Sequence, residues 1–411
     1  IKERIAMIER GEVPEGYKKI KNIIVPYEWE YIKFGDVASI PSGLISPLEE
    51  PYCNYIHVGP ENIEKDTGRL TNLRMAKELG IFSGKFLFSE SAIVYSKIRP
   101  NLNKVCMPRF TGICSADCYP IYCNDKVSIE FLFYSILDEQ FRKQAVLCSM
   151  RTGMPKINQD DLKLLHITIP QEKSEQNRIV SILSEWDQAI GIKEKLLEQK
   201  KLQKKGLMER LLTGKVRLPG FTDEWQYVKA GEIFGNSANK KHAGIGEVLS
   251  SMQDRGIVPR SQVDIDIKYD ADSVTSYKKV EAGDFVISLR SFQGGIEYSE
   301  YEGLISPAYT VLKNKTDIDV GFYKELFKSA NFIRRLNSVI YGIRDGKQIG
   351  YDDFSTLKLP YPPKAEQSAI AKVFQAANDE IAVLQNEITQ LKIQKKGLMQ
   401  LLLTGKVRVP C

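Results

Sequence analysis

The side chains best suited to chemistry in this sequence are cations, amides and hydroxyls gathered in two loops. The first is Ser96-Lys97-Ile98-Arg99-Pro100-Asn101-Leu102-Asn103-Lys104, and the second is Ser288-Leu289-Arg290-Ser291-Phe292-Gln293-Gly294-Gly295. Arg, Asn and Gln make bidentate hydrogen bonds to guanine and adenine edges, and Lys suits phosphate. Lys97, Arg99, Asn101, Asn103 and Lys104 are therefore candidate nucleic-acid contacts, with Arg290, Ser291 and Gln293 as their counterparts. Arg151, Lys156, Arg344 and Lys347, in two Gly-bearing turns, form a second set. Taken singly, each loop reads more readily as an ordinary solvated connection.

No complete catalytic or metal set accompanies these loops. Thr213-Gly214-Lys215 and Thr404-Gly405-Lys406 imitate the end of a phosphate loop, but Glu209 and Gln400 stand where its first glycine belongs. Their lysines suit helix ends, where a cation complements the dipole. His57, His166 and His242 match no triad spacing and read as structural or surface residues. Cys114, Cys118 and Cys123 lack a paired C-x-x-C arrangement and a nearby His, so zinc is disfavoured. Asp160-Asp161 and Asp352-Asp353 recur, but adjacent acids on one strand or helix do not face each other. Capping or turn formation is the better reading.

The elements that must carry the loops are written twice. Lys204-Lys205-Gly206-Leu207-Met208 through Pro219 returns, with three differences, as Lys395-Lys396-Gly397-Leu398-Met399 through Pro410. The offset, 191 residues, also relates Arg99 to Arg290 and Gly112-Ile113-Cys114-Ser115 to Gly303-Leu304-Ile305-Ser306. Such a period is too long for a solenoid and is the length of a domain with its connector. Within each repeat, alternating runs at Trp29–Val37 and Trp225–Ile233 read as strands entering a domain. Ser91–Ser96 and Asp284–Ser288 read as buried strands. Amphipathic helices are expected around Ile129–Val146 and Val320–Val339. Proline-bearing exits at Pro170 and Pro360–Pro363 then lead through Glu175-Gln176 and Glu366-Gln367 into two long helices.

The long helices carry a seven-residue apolar repeat. In the second, Ile370, Phe374, Ala377, Ile381, Leu384, Ile388, Leu391, Leu398 and Leu402 occupy the a and d positions. In the first, Ile179, Leu183, Trp186, Ile190, Leu197, Leu207 and Leu211 do so, interrupted by Lys193, Lys200 and Lys204. A strict heptad over several turns argues for coiled-coil pairing. The second helix must run back along the first to bury its seam, so the pair is expected to be antiparallel. Its end then arrives beside the N-terminal segment. The expected fold is α+β, with two α/β domains joined and separated by this coiled coil in a pseudo-twofold arrangement. The segments are 1–25, 26–172, 173–217, 218–362 and 363–411.

Composition sets outer bounds. A chain of 411 residues with 43% hydrophobic content is expected to form more than one globular domain. Six of the seven cysteines fall in the first 150 residues and form no framework shared by both repeats, which suggests reduced thiols and a cytoplasmic protein. No apolar run approaches the length of a membrane span. The net charge of +6 permits a polyanionic partner without requiring one. Because the chain opens on Ile1, a start residue or short leader is expected to precede it.

The duplicated plan resembles the specificity subunits of type I restriction-modification systems. The resemblance rests on Pro26-x-x-Trp29, Tyr95-Ser96-Lys97-Ile98-Arg99-Pro100, the exits Pro170 to Gln176 and Pro362-Pro363-Lys364-Ala365-Glu366-Gln367, and the Gly-Leu-Met-x-x-Leu-Leu-Thr-Gly-Lys-Val-Arg at both helix ends. It implies two target-recognition domains, each reading one half of a bipartite double-stranded DNA site. It also implies helical regions that space those domains and dock two methyltransferase subunits, and two restriction subunits can join that core. S-adenosylmethionine would belong to the methyltransferases; this chain would bind no cofactor and catalyse nothing. Two alternatives stand beside it: a non-catalytic coiled-coil scaffold whose heads bind protein or carbohydrate, and, ranked last, an enzyme with an unrecognised site.

Overall fold

The computed structural model describes residues 1–149, 155–242, 244–263, 271–338 and 349–409. Arg151, Arg344 and Lys347 lie outside the described residues. The chain divides into two compact units, 1–192 with 388–411 and 193–387. The division cuts both long helices, Lys173–Leu211 and Lys364–Leu402, near their middles. Each helix has 39 residues, about 58 Å at 1.5 Å per residue.

Both units repeat one strand plan. In the first, the incoming strand Trp29–Lys33 pairs antiparallel with the outgoing strand His166–Pro170, Trp29 opposite Pro170. In the second, Gln226–Lys229 pairs in the same sense with Lys358–Tyr361. The pairing places the exit proline at the mouth of each head, so the long helix starts where the head began.

Each head is built around a four-stranded antiparallel sheet. In the first its order is Ala38–Ser39, Cys118–Cys123, Ile93–Ser96, Val105–Cys106. In the second it is Phe234–Ser237, Thr310–Asn314, Phe285–Ile287, Glu297–Tyr298. Ile93–Ser96 and Phe285–Ile287 are buried throughout, as continuous apolar runs require. The remaining strands differ. The first head adds a mixed sheet in which Gly112–Cys114 runs parallel to Ile56–Val58. The second has two separate two-stranded ladders there.

The single helix expected in each head is two. Ile129–Leu137 is followed by Glu139–Ser149, and Val320–Lys328 by Ala330–Ser338. Asp138 and Ser329, equivalent in the repeat, adopt extended backbone at the break. Their side chains cap the next helix by accepting from the backbone N–H of Gln140 and Phe332. Short polar side chains that bond the local backbone favour caps over helix interiors, and apolar periodicity alone does not register that competition.

The heptad positions are all buried or half-buried. The seam does not serve helix pairing alone. Ile179, Leu183 and Leu402 join the first head's core with Trp29, Phe34 and Phe131. Leu211, Ile370 and Phe374 join the second with Phe234, Phe285 and Phe327. Within unit 2 the helices run antiparallel, with Lys193 and Lys200 paired to Glu387 and Glu380 at 2.6 Å. In unit 1, Tyr17 donates its hydroxyl to the Gly405 carbonyl at 2.8 Å, fastening the N-terminal hairpin to the end of the second long helix.

Candidate nucleic-acid interface

The first candidate loop leaves the buried strand Ile93–Ser96 under tight backbone control. Arg99 and Asn103 both take left-handed backbone, φ 48° and 47°, on either side of a 3-10 turn at Pro100–Leu102. That conformation costs a non-glycine residue roughly 1–2 kcal/mol and needs compensation. The Arg99 N–H donates to the Pro155 carbonyl at 2.8 Å, and the Ile157 N–H to the Lys97 carbonyl at 3.0 Å. These bonds draw residues 155–157 alongside 97–99, with Ile98 bridged to Lys156.

Lys97, Arg99 and Lys156 therefore come together. Arg99, Asn101 and Lys156 are exposed, and Lys97 is half-buried with its ammonium 5.2 Å from the centre of the Tyr119 ring. Burial pulls the Lys97 pKa below its ordinary value, and the neighbouring Lys156 charge lowers it further. An anion between two such ammonium groups relieves their repulsion, which makes the pair a phosphate-compatible feature.

Two proposed contacts in this loop are otherwise engaged. Asn103 is 5% exposed and donates its amide to the Leu137 carbonyl at 2.9 Å. Lys104 reaches inward to the Pro60 carbonyl at 2.5 Å. Each satisfies a carbonyl of the head, so neither projects toward a partner. Asparagine's suitability for base edges is the same suitability it has for a backbone carbonyl, and composition does not separate the two.

In the second head the corresponding segment follows Phe285–Ile287 and closes a short helix, Ser291–Gly294. Ser291 is 1% exposed and accepts from the Ser288 N–H at 2.8 Å. It is a turn-forming residue and not a surface contact. Arg290 and Gln293 are exposed. Arg99 and Arg290 thus hold the same place, just beyond the buried strand, in loops of otherwise different shape.

The repeated motifs at the helix ends are clasps. Arg408 donates to both carboxylate oxygens of Glu175, at 2.7 and 2.9 Å, and Trp29 adds its indole N–H at 3.1 Å. Arg217 grips Glu366 at 2.6 Å on both oxygens, joined by Trp225 at 2.9 Å. The adjacent glutamine bonds the exit proline: Gln176 to Pro170 at 2.9 Å and Gln367 to Pro362 at 2.8 Å. Its oxygen accepts the N–H of Ser128 or Asp319 at the start of a head helix. Gly214 and Gly405 turn the chain into these clasps with φ of 69° and 71°. A Cβ on Gly405 would stand 2.5 Å from Pro26 Cδ. The Thr-Gly-Lys-Val-Arg runs thus join the end of one long helix to the start of the other within each unit. The signal for these clasps in the sequence is the common offset of Arg217/Arg408 and Glu175/Glu366, which marks a repeated motif but carries no information on which residues meet.

Other candidates take structural places. Asp160 and Asp161 lie in the first turn of Gln159–Leu164, capped by Asn158, and Asp352 and Asp353 open Tyr351–Ser355. Cys114 and Cys118 are buried, and burial pushes the Cys114 thiol up to about 12. Among the described residues no group of three or more His, Cys, Asp or Glu could hold a metal ion. No described helix is long and apolar enough to cross a membrane.

The family described as type I restriction modification DNA specificity domain matches residues 26–201, the first head and most of the first long helix. The chain is thus similar to the specificity subunits of type I restriction-modification systems, through a match that spans less than half of its length. It is 42% identical over 156 residues to the type I restriction enzyme EcoDI specificity subunit of Escherichia coli, a match that covers 38% of this chain and 34% of that subunit. The type I restriction enzyme MjaVIII specificity subunit of Methanocaldococcus jannaschii is 24% identical over 96% of both chains. A solved chain of a type I R-M system covers 93% of this one with a TM-score of 0.62 at 18% identity, a likeness of fold alone.

Proposed function

We propose that this chain is a type I specificity subunit, which selects DNA without performing the chemistry itself. Each head reads one half of a bipartite duplex site. The long helices set the distance between the heads and receive two methyltransferase subunits, to which two restriction subunits can be added. S-adenosylmethionine belongs to the methyltransferases, and the complex works in the cytoplasm. The observation that carries this reading is the pair Arg99 and Arg290, exposed at equivalent places in two heads whose surrounding loops differ. Different loops on one scaffold suit different half-sites, and near-identical helix ends suit one repeated partner.

Base-resolution mapping of methylated DNA from cells carrying this chain and its methyltransferase tests the proposal. A motif of two defined parts separated by an indifferent spacer is expected. Arg99→Ala should relax or abolish one part and Arg290→Ala the other. A short undivided motif, or variants that affect both parts alike, would overturn it.

A further inference from the structure

Lysines interrupt the apolar seam at 193, 200, 204 and 395. Lys193 and Lys200 simply meet acids of the facing helix at partly exposed positions. Lys204 and Lys395, which are equivalent in the repeat, do something else. In unit 1, Lys395 pairs with Asp187 of the first long helix at 2.6 Å. Asp187 accepts the hydroxyl of Tyr134, from head helix Ile129–Leu137, at 2.8 Å. The Lys395 ammonium also lies 5.3 Å from the centre of the Tyr134 ring. In unit 2, Lys204 pairs with Glu325 of head helix Val320–Lys328 at 2.8 Å, and Asn378 of the second long helix donates to the same carboxylate at 2.8 Å.

The three positions correspond one to one: 134 with 325, 187 with 378, 204 with 395. Each set joins the head helix to both long helices at one point. Each set also contains one lysine and one carboxylate. The carboxylate has changed owner. It stands on the long helix as Asp187 where the head offers Tyr134, and on the head as Glu325 where the long helix offers Asn378. Changing one position alone would have left a lysine without an acid or crowded two acids around it. The Lys395, Tyr134 and Glu325 side chains are largely withdrawn from solvent, where an unmatched charge is most costly.

We infer that these two nodes are positioning residues that hold each head at a set angle on the helix pair, and so limit the spacer length accepted between half-sites. The inference rests on the bipartite reading above. The shared apolar cores seat each head on both helices, but apolar contacts are non-directional and leave its tilt weakly specified. A head tied to both at one buried point cannot tilt without breaking charge-assisted bonds. The bases read in each half-site lie elsewhere, on the loops, and are independent of the nodes.

The test uses the chain assembled with its methyltransferase, offered a DNA library with the native half-sites and variable spacers. Asp187→Asn leaves Lys395 without its acid. Tyr134→Glu with Asp187→Asn rebuilds in unit 1 the set found in unit 2. Asn378→Ala is the milder counterpart, keeping the Lys204–Glu325 pair and removing only the tie to the second long helix. The unsubstituted complex should favour one spacer. D187N and N378A should raise methylation at spacers one base pair longer or shorter by on the order of tenfold relative to the native spacer, with the half-sites unchanged. The double variant should return to one spacer. An unbroadened profile in both single variants overturns the inference. So does a double variant as broad as D187N, or loss of methylation at every spacer in a D187N complex that melts like the native one. If D187N fails to assemble, N378A decides by the same profile. A native complex that recognises no split site would instead refute the bipartite reading.

Discussion

Replacing Arg408 with Met should destabilise unit 1 by about 3–5 kcal/mol, the usual cost of leaving a buried charge without its partner. Arg408 supplies two charge-assisted hydrogen bonds to Glu175, each contributing roughly 1.5–3 kcal/mol. The Glu175 side chain is 2% exposed, and without Arg408 the donor left to it among the described residues is the Trp29 indole. The guanidinium pKa is raised chiefly by this hydrogen bonding to Glu175. Arg408 also touches Glu28, but that carboxylate is mostly in solvent, and an exposed pair contributes about 0–1 kcal/mol. Solvent reaches about a third of the Arg408 side chain, which argues for the lower end of the range. For a unit of roughly 200 residues, each kcal/mol lowers Tm by about 2–4 °C, so the drop should be about 6–20 °C. Scanning calorimetry of the native chain, R408M and R408M with Glu175→Gln reads it directly. The second change removes the stranded charge while keeping an acceptor for Trp29, and should recover at least half of the loss. A single variant melting within about 2 °C of native, or a double variant no more stable than the single, would refute the clasp.

Two further outcomes are expected. His57 is 5% exposed, neither ring nitrogen is bonded among the described residues, and burial lowers its pKa below 6.5. Its proton is then held more tightly by the unfolded chain, so the stability it permits is complete above pH 6.5 and falls as pH drops through and below that value. Melting scans between pH 7.5 and 5 should show this loss, and His57→Leu should flatten it; an unchanged pH dependence would exclude His57 as its source. Arg99→Ala and Asn103→Ala should separate binding from folding. The first should weaken DNA binding by about 1–3 kcal/mol with little change in Tm. The second should cost about 1–3 kcal/mol of stability by orphaning the Leu137 carbonyl, with half-site preference retained.

Several elements were legible because their signals are local or periodic. The long helices announce themselves by heptads, and the buried strands by apolar runs flanked by turn residues. Arg99 and Arg290 stood out because one offset places them at matching sites. Other features escaped. The break at Asp138 and Ser329 depends on a side chain capturing a backbone N–H, which a hydrophobic pattern does not record. Asn103, Lys104 and Ser291 had the right chemistry for a nucleic acid, and the fold turns that chemistry inward.

By itself the sequence determined the duplication, the two long helices with their heptad seam, and the α+β order of elements, because repetition and periodicity are properties of the chain read along its length. Only the tertiary structure decided how the repeated residues are used. Glu175 meets Arg408, and Asp187 meets Lys395, across more than 200 positions. Hydrogen bonds and ion pairs depend on separations of a few ångströms in space, and sequence distance carries no measure of them. The same physics sorted the candidate loops: Arg99 and Arg290 remain in solvent, while Asn103 and Ser291 were taken by the backbone groups that burial would otherwise have left unsatisfied.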